Sequence, residues 1–98
     1  MHFAQNDVGY CYEYSEGIIK DENNAFNWYL KAAEQGLAKA QYNSGRCYIH
    51  GKGIIKDEQI AFNWYLIAAE QGYKKAQIKI GNCYKKGIGV KKDENKSN

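Results

Sequence analysis

Proline is absent from the chain, methionine occurs once and histidine twice. No stretch approaches the roughly 18 consecutive apolar residues of a membrane-spanning helix. Met1-His2-Phe3-Ala4-Gln5 has neither the charged start nor the apolar centre of an export signal. A membrane span is therefore not expected, and the cytoplasm is the expected address. Leu, Ile, Val and Phe together number only 18 of 98 residues, a share at which disorder becomes a question. Disorder, however, also requires high net charge and few aromatic residues. Here the net charge is +3, and nine Tyr, three Phe and two Trp supply apolar bulk. So small a charge does not by itself point to nucleic acid. The chain reads as one small folded unit, and ten Ala without a Pro favour helix over sheet.

Ten glycines sit awkwardly with helix until the chain is compared with itself. Ala4-Gln5 recurs as Ala40-Gln41 and Ala76-Gln77, and Gly9, Cys11 and Tyr12 recur at Gly45, Cys47 and Tyr48 and again at Gly81, Cys83 and Tyr84. Residues 4–39 and 40–75 match at 23 of 36 positions without a gap, and 76–98 is a partial third copy. A 36-residue period carrying two apolar stripes, Ala4, Val8, Cys11 and Tyr12, then Ala25, Trp28, Tyr29, Ala32 and Ala33, reads as a helix pair per copy. Helices are expected near 3–14, 22–35, 38–50, 58–71 and 74–86. Asp21, Asp57 and Asp93 stand where an N-cap acceptor belongs, and Gly36 and Gly72 where a left-handed residue ends a helix. Gly17, Gly53 and Gly89 fall in the loops. Gly9, Gly45 and Gly81 lie inside helices, where each costs about 1 kcal/mol relative to Ala. They imply close approach of the second helix carrying Trp28 or Trp64.

The string Ala-x3-apolar-Gly-x2-Tyr, then Gly-Ile-Ile/Val, Asp, and Ala-x2-Trp-Tyr-x2-Ala-Ala-Glu-Gln-Gly, closely resembles the Sel-one-like repeat family. It is carried most fully by Ala40, Gly45, Tyr48, Gly51, Gly53, Asp57, Ala61, Trp64, Tyr65, Ala68, Ala69 and Gly72. Ser15 replaces the first loop Gly, and Ser44 stands where the family usually has Leu. The tetratricopeptide pattern fits worse, since its period is 34 and its early Trp and closing Pro are missing. The resemblance implies an all-α, tetratricopeptide-like α-solenoid, a right-handed superhelix of about two and a half repeats, serving as a protein–protein interaction scaffold. It also implies an adaptor role in a signalling or protein quality-control assembly. The residues expected to lock the stack are Gly9, Tyr12, Trp28, Tyr29, Gly36, Gly45, Tyr48, Trp64, Tyr65, Gly72, Gly81 and Tyr84.

Comparison of the copies locates a candidate recognition face. With successive residues 100° apart around each first helix, the matching positions occupy one arc and the differing ones the opposite arc. The differing columns are Asn6/Tyr42/Ile78, Asp7/Asn43/Lys79, Tyr10/Arg46/Asn82, Glu13/Ile49/Lys85 and Tyr14/His50/Lys86. Free to vary, and containing Tyr and Arg, this stripe is expected to contact a protein or peptide. An unconstrained solvated face is the alternative. Charge drifts along the chain: residues 1–73 carry net −3 and residues 74–98 net +6.

Other chemistries find less support. One cysteine per repeat cannot form the two-cysteine staple that the resemblance associates with secreted members. Equivalent positions about 8–10 Å apart are too far for a disulfide or a shared zinc, so Cys11, Cys47 and Cys83 are expected as buried free thiols. No metal, cofactor or catalytic residue is expected. Ser15, Ser44 and Ser97 have no neighbouring base, although some members of the family carry a label as hydrolases of β-lactam-type substrates. The lysines of the basic end are scattered rather than arranged in a nucleic-acid motif. The broken third copy leaves Ile80, Tyr84, Ile88 and Val90 in need of cover, as in a spacer fragment of a longer array or an end that self-associates.

Overall fold

The computed structural model describes residues 5–14 and 21–96. His2, Ala4, Ser15, Gly17 and Ser97 lie outside them. The elements are α1 (Gln5–Tyr14), α2 (Glu22–Glu34), α3 (Ala38–His50), α4 (Glu58–Glu70) and α5 (Lys74–Lys86), followed by a 3-10 turn over Glu94–Lys96. Among the described residues there is no strand.

Local chemistry sets these boundaries. Asp21 Oδ1 accepts from the Asn24 amide at 3.1 Å, and Asp57 Oδ1 from the amides of Gln59 and Ile60 at 3.0 and 3.1 Å. Asp93 does the same for Asn95 at 3.0 Å, opening the 3-10 turn. These caps satisfy helix-start amides that have no partner within the helix. Gly36 and Gly72, at φ +95° and +90°, end the second helices.

Each helix packs mainly on its chain neighbours, α1 on α2, α2 on α3, α3 on α4 and α4 on α5, giving an array 44 Å long. The core repeats with the sequence. One cluster joins Ala25, Phe26, Tyr29 and Cys47, and the next joins Ala61, Phe62, Tyr65 and Cys83. Edge-to-face contacts recur too, Phe26 on Tyr48 and Phe62 on Tyr84, at 5.3 and 5.6 Å. Gln41 and Gln77 donate to the carbonyls of Ala33 and Ala69, tying each first helix to the end of the second helix before it.

Two expectations need correction here. The second helix does press on the helical glycines, but through Tyr29 and Tyr65 rather than the tryptophans. A Cβ on Gly9 would stand 2.9 Å from the Tyr29 ring, and one on Gly45 would stand 2.8 Å from that of Tyr65. Both tyrosines are fully buried, whereas Trp28 and Trp64 are half-buried. Trp28 lies under Lys31, and Trp64 covers the joint of Ala32, Ala33 and Ala40. Cys47 and Cys83 are buried, but Cys11 is exposed. A repeat's cysteine packs on the second helix of the repeat before it, and among the described residues none precedes α1.

Candidate functional site

The first helices α1, α3 and α5 border a groove of about 630 Å³. Tyr10, Tyr14 and Asp7 come from α1, Lys39, Tyr42, Asn43 and Arg46 from α3, and Tyr73 and Lys75 from the start of α5. The rings of Tyr10 and Tyr14 meet at 4.6 Å, tilted by 45°, and are about half exposed, at 53% and 46%. Tyr42 bridges to Tyr73 at 5.4 Å and, beneath, to Tyr65 at 5.6 Å. The groove thus offers amphipathic rings, held by packing, beside cations. Such rings supply large contact area with little conformational entropy to lose.

Part of the varying stripe lies inside the molecule. Asn6 and Glu13 are 2% and 1% exposed, and Asn43 is also buried, so the expectation that their columns face solvent fails at these positions. The reason is that α1 and α3 also meet side by side. Asn43 Nδ2 donates to Asn6 Oδ1 at 2.8 Å. Arg46 grips both oxygens of Glu13 at 2.9 Å, Tyr29 Oη donates to Oε1 at 2.7 Å, and Lys52 Nζ reaches Oε2 at 3.2 Å. Burial alone would lift the Glu13 pKa. The hydrogen bonds from Arg46, Tyr29 and Lys52, with the Arg46 charge, hold it at about 2. Burial, then the Glu13 charge, pushes the Cys47 thiol up to about 12, which leaves it un-ionised and unreactive at neutral pH.

Of the fifteen stripe residues, Asp7, Tyr10, Tyr14, Tyr42, Asn43 and Arg46 line the groove. Ile49, His50, Asn82 and Lys86 border a second, smaller hollow of about 180 Å³ one repeat further on. Ile78 is 64% exposed, and Lys85 is exposed on α5. Lys39, Tyr73 and Lys75 were not anticipated. Lys39 and Lys75 are the same residue in both copies, so a search for variation passes over them, and Tyr73 lies just before its helix. Ser44 is buried, and its hydroxyl has no hydrogen-bond partner among the described residues. Among the described residues no three of His, Cys, Asp and Glu come together in a group that could hold a metal ion. Among the described residues no helix is long and apolar enough to cross a membrane.

Stacked helix pairs with a groove along their first helices define an α-solenoid of the repeat-scaffold class. The family model for the Sel1 repeat matches residues 2–37, 38–73 and 74–98, and the chain belongs to that family. A Sel1 repeat protein from Oxalobacter formigenes superposes with TM-score 0.86 at 48% identity, over 91% of this chain and 37% of that one. The c5321 protective antigen of uropathogenic Escherichia coli, which displays an SLR fold, gives TM-score 0.92 at 36% identity, over 95% of this chain and 20% of that one. Chitin synthase regulatory factor 3 of Schizosaccharomyces pombe is 45% identical over 38 residues, 39% of this chain and 4% of that protein. The chain thus spans a small part of the length of each of these proteins. Sel1 repeat proteins are generally protein–protein interaction scaffolds.

Proposed function

We propose that the chain is a non-catalytic docking module, an adaptor that holds a protein or peptide partner in the groove of its first helices. The groove itself carries the reading: exposed Tyr10 and Tyr14, half-buried Tyr42 and Tyr73, and Lys39, Arg46 and Lys75 around them. Tyrosine and arginine dominate binding hot spots because they combine apolar contact with directed hydrogen bonds. The ionic joint beneath holds the groove in shape before a partner arrives, which lowers the entropy cost of docking. A regulatory assembly accords with the name of the chitin synthase regulatory factor. A cytoplasmic address accords with three free thiols.

The test uses exposed groove residues, because Arg46 also holds the joint. Tyr10→Ala with Lys75→Ala is expected to keep the circular dichroism and melting temperature of the parent chain. It is expected to weaken, at least tenfold by calorimetry, a partner first identified by affinity capture and then purified. Unchanged affinity in that double variant removes the groove as the docking site.

A further inference from the structure

The two joints between repeats share one backbone geometry but not one chemistry. At the first, Glu13 takes the Tyr29 hydroxyl together with Arg46 and Lys52. One repeat later the corresponding positions hold Ile49, Tyr65, Asn82 and Ile88. Tyr65 keeps the buried ring and its hydroxyl, at 1% exposure, but the carboxylate is gone. That hydroxyl has no hydrogen-bond partner among the described residues. Such a group normally finds one.

Tyr65 borders the 180 Å³ hollow with Ile49, His50, Lys79, Asn82 and Lys86. The local field is positive: burial, then the charges of Lys52, Lys79 and Arg46, lower the pKa of His50. The bias grows toward this end of the face: α1 carries two acids and no base, α3 two bases, and α5 five bases and no acid. Helices α1, α3 and α5 carry seven Lys or Arg against two acids, Asp7 and Glu13. Helices α2 and α4 carry one base, Lys31, against Glu22, Glu34, Glu58 and Glu70. One side of the array therefore attracts anions and the other repels them.

We propose that the hollow is a carboxylate receptor. A Glu or Asp side chain of the docked protein enters it, accepts the hydrogen bond of Tyr65 Oη, and is neutralised by Lys79 and Lys86. The first joint supplies the template, since the same tyrosine position there is met by the chain's own Glu13. The hydroxyl is covered in the free chain, so entry requires a rim side chain to turn aside. The two rim lysines have flexible four-carbon stems suited to this. The proposal rests on the docking function above and adds the chemistry of the partner: an acidic segment crossing from the tyrosine groove to this hollow.

The probe is N-acetyl-L-glutamate N-methylamide, titrated into the full chain and followed by backbone amide shifts in two-dimensional NMR. The glutamine analogue, acetate and a single-stranded oligonucleotide serve as separate arms. Saturable shifts near Ile49, Asn82 and Lys86, at least fivefold tighter for glutamate than for glutamine, are expected. Tyr65→Phe should weaken them at least fivefold without lowering the melting temperature, an outcome that a merely structural tyrosine would not give. Ile49→Glu, which installs a carboxylate at the position of Glu13, should abolish them. Equal response to glutamine, no saturation, or indifference to Tyr65→Phe overturns the proposal. So does acetate binding as tightly as glutamate, which assigns the site to free small carboxylates, or preference for the oligonucleotide. If Tyr65→Phe still binds the purified partner while Tyr10→Ala with Lys75→Ala does not, this site falls and the docking function stands.

Discussion

Replacing Glu13 by Gln removes the charge on which the first joint converges while nearly preserving shape. The carboxylate is 1% exposed and receives Arg46 on both oxygens, Tyr29 at 2.7 Å and Lys52 at 3.2 Å. Its pKa falls from 4.5 to about 2 on folding. At roughly 1.4 kcal/mol per pH unit, that is about 3 kcal/mol of stability. The amide of Gln can still accept one bond from Arg46, and Arg46 and Lys52 keep 17% and 32% of their side chains in water. The expected loss at pH 7 is therefore about 2–3 kcal/mol, at the lower edge of the range for breaking a buried pair. In a chain of this size it lowers the melting temperature by roughly 10–20 °C.

The pH dependence has a definite sign. The folded pKa is depressed, so the stabilisation is complete above about 4.5 and is lost as pH falls toward about 2. Thermal melts of both proteins by circular dichroism, at intervals from pH 7 to pH 2.5, should show a gap that is constant down to about pH 5 and then closes. A gap that persists unchanged at pH 2.5, or Glu13→Gln melting with the parent chain at pH 7, refutes the ionised joint.

Four further substitutions probe the packing. Tyr29→Phe removes a hydroxyl bonded to a charged acceptor and should cost about 1.5–3 kcal/mol in denaturant unfolding, whereas Tyr65→Phe, whose hydroxyl bonds to nothing among the described residues, should cost none. Gly45→Ala sets a Cβ 2.8 Å from the Tyr65 ring. Overpacking of about 1–3 kcal/mol against about 1 kcal/mol gained in helix propensity predicts a net loss of up to about 2 kcal/mol in the same assay. Ser44 is wholly buried with an unpartnered hydroxyl among the described residues, so Ser44→Ala should hold or raise the unfolding midpoint, by up to about 1 kcal/mol.

Helix existence and extent were legible because independent signals agreed: the 36-residue period throughout, the aspartate caps where the second helices start and the glycines where they end. Which aromatic residue meets the helical glycines was not. Trp28 and Tyr29 are neighbours 100° apart on a helix packed on two sides, and periodicity does not rank such neighbours. The stripe was half legible. The 100° rotation separates matching from differing columns, and Tyr10, Tyr14, Tyr42 and Arg46 do converge. It wrongly equates differing with solvent-facing, because the flank of a first helix touches the next first helix. Glu13 differs between copies together with its partners: Glu13, Arg46 and Lys52 become Ile49, Asn82 and Ile88. That coordinated change of a buried ionic set for a largely apolar one was visible in the sequence. Only the structure shows that the three positions meet.

The consequence is an array whose joints respond unequally to acid. In a repeat stack, stability is close to a sum of repeat and nearest-neighbour terms, so one joint can weaken while the next holds. Protonating Glu13 releases Arg46 and Lys52 and loosens α1 from α3. The joint of Ile49 and Ile88 has no equivalent carboxylate to protonate. Local openings of α1 should therefore grow easier between about pH 4.5 and pH 2, with up to one proton taken up per opening. Openings of α5 that leave the first joint closed should not. Amide hydrogen exchange, corrected for the intrinsic pH dependence, separates the two helices residue by residue. Protection falling equally in Val8–Tyr12 and Ile80–Tyr84 would mean that the chain opens only as a whole, and that the Glu13 joint is not the acid-sensitive element.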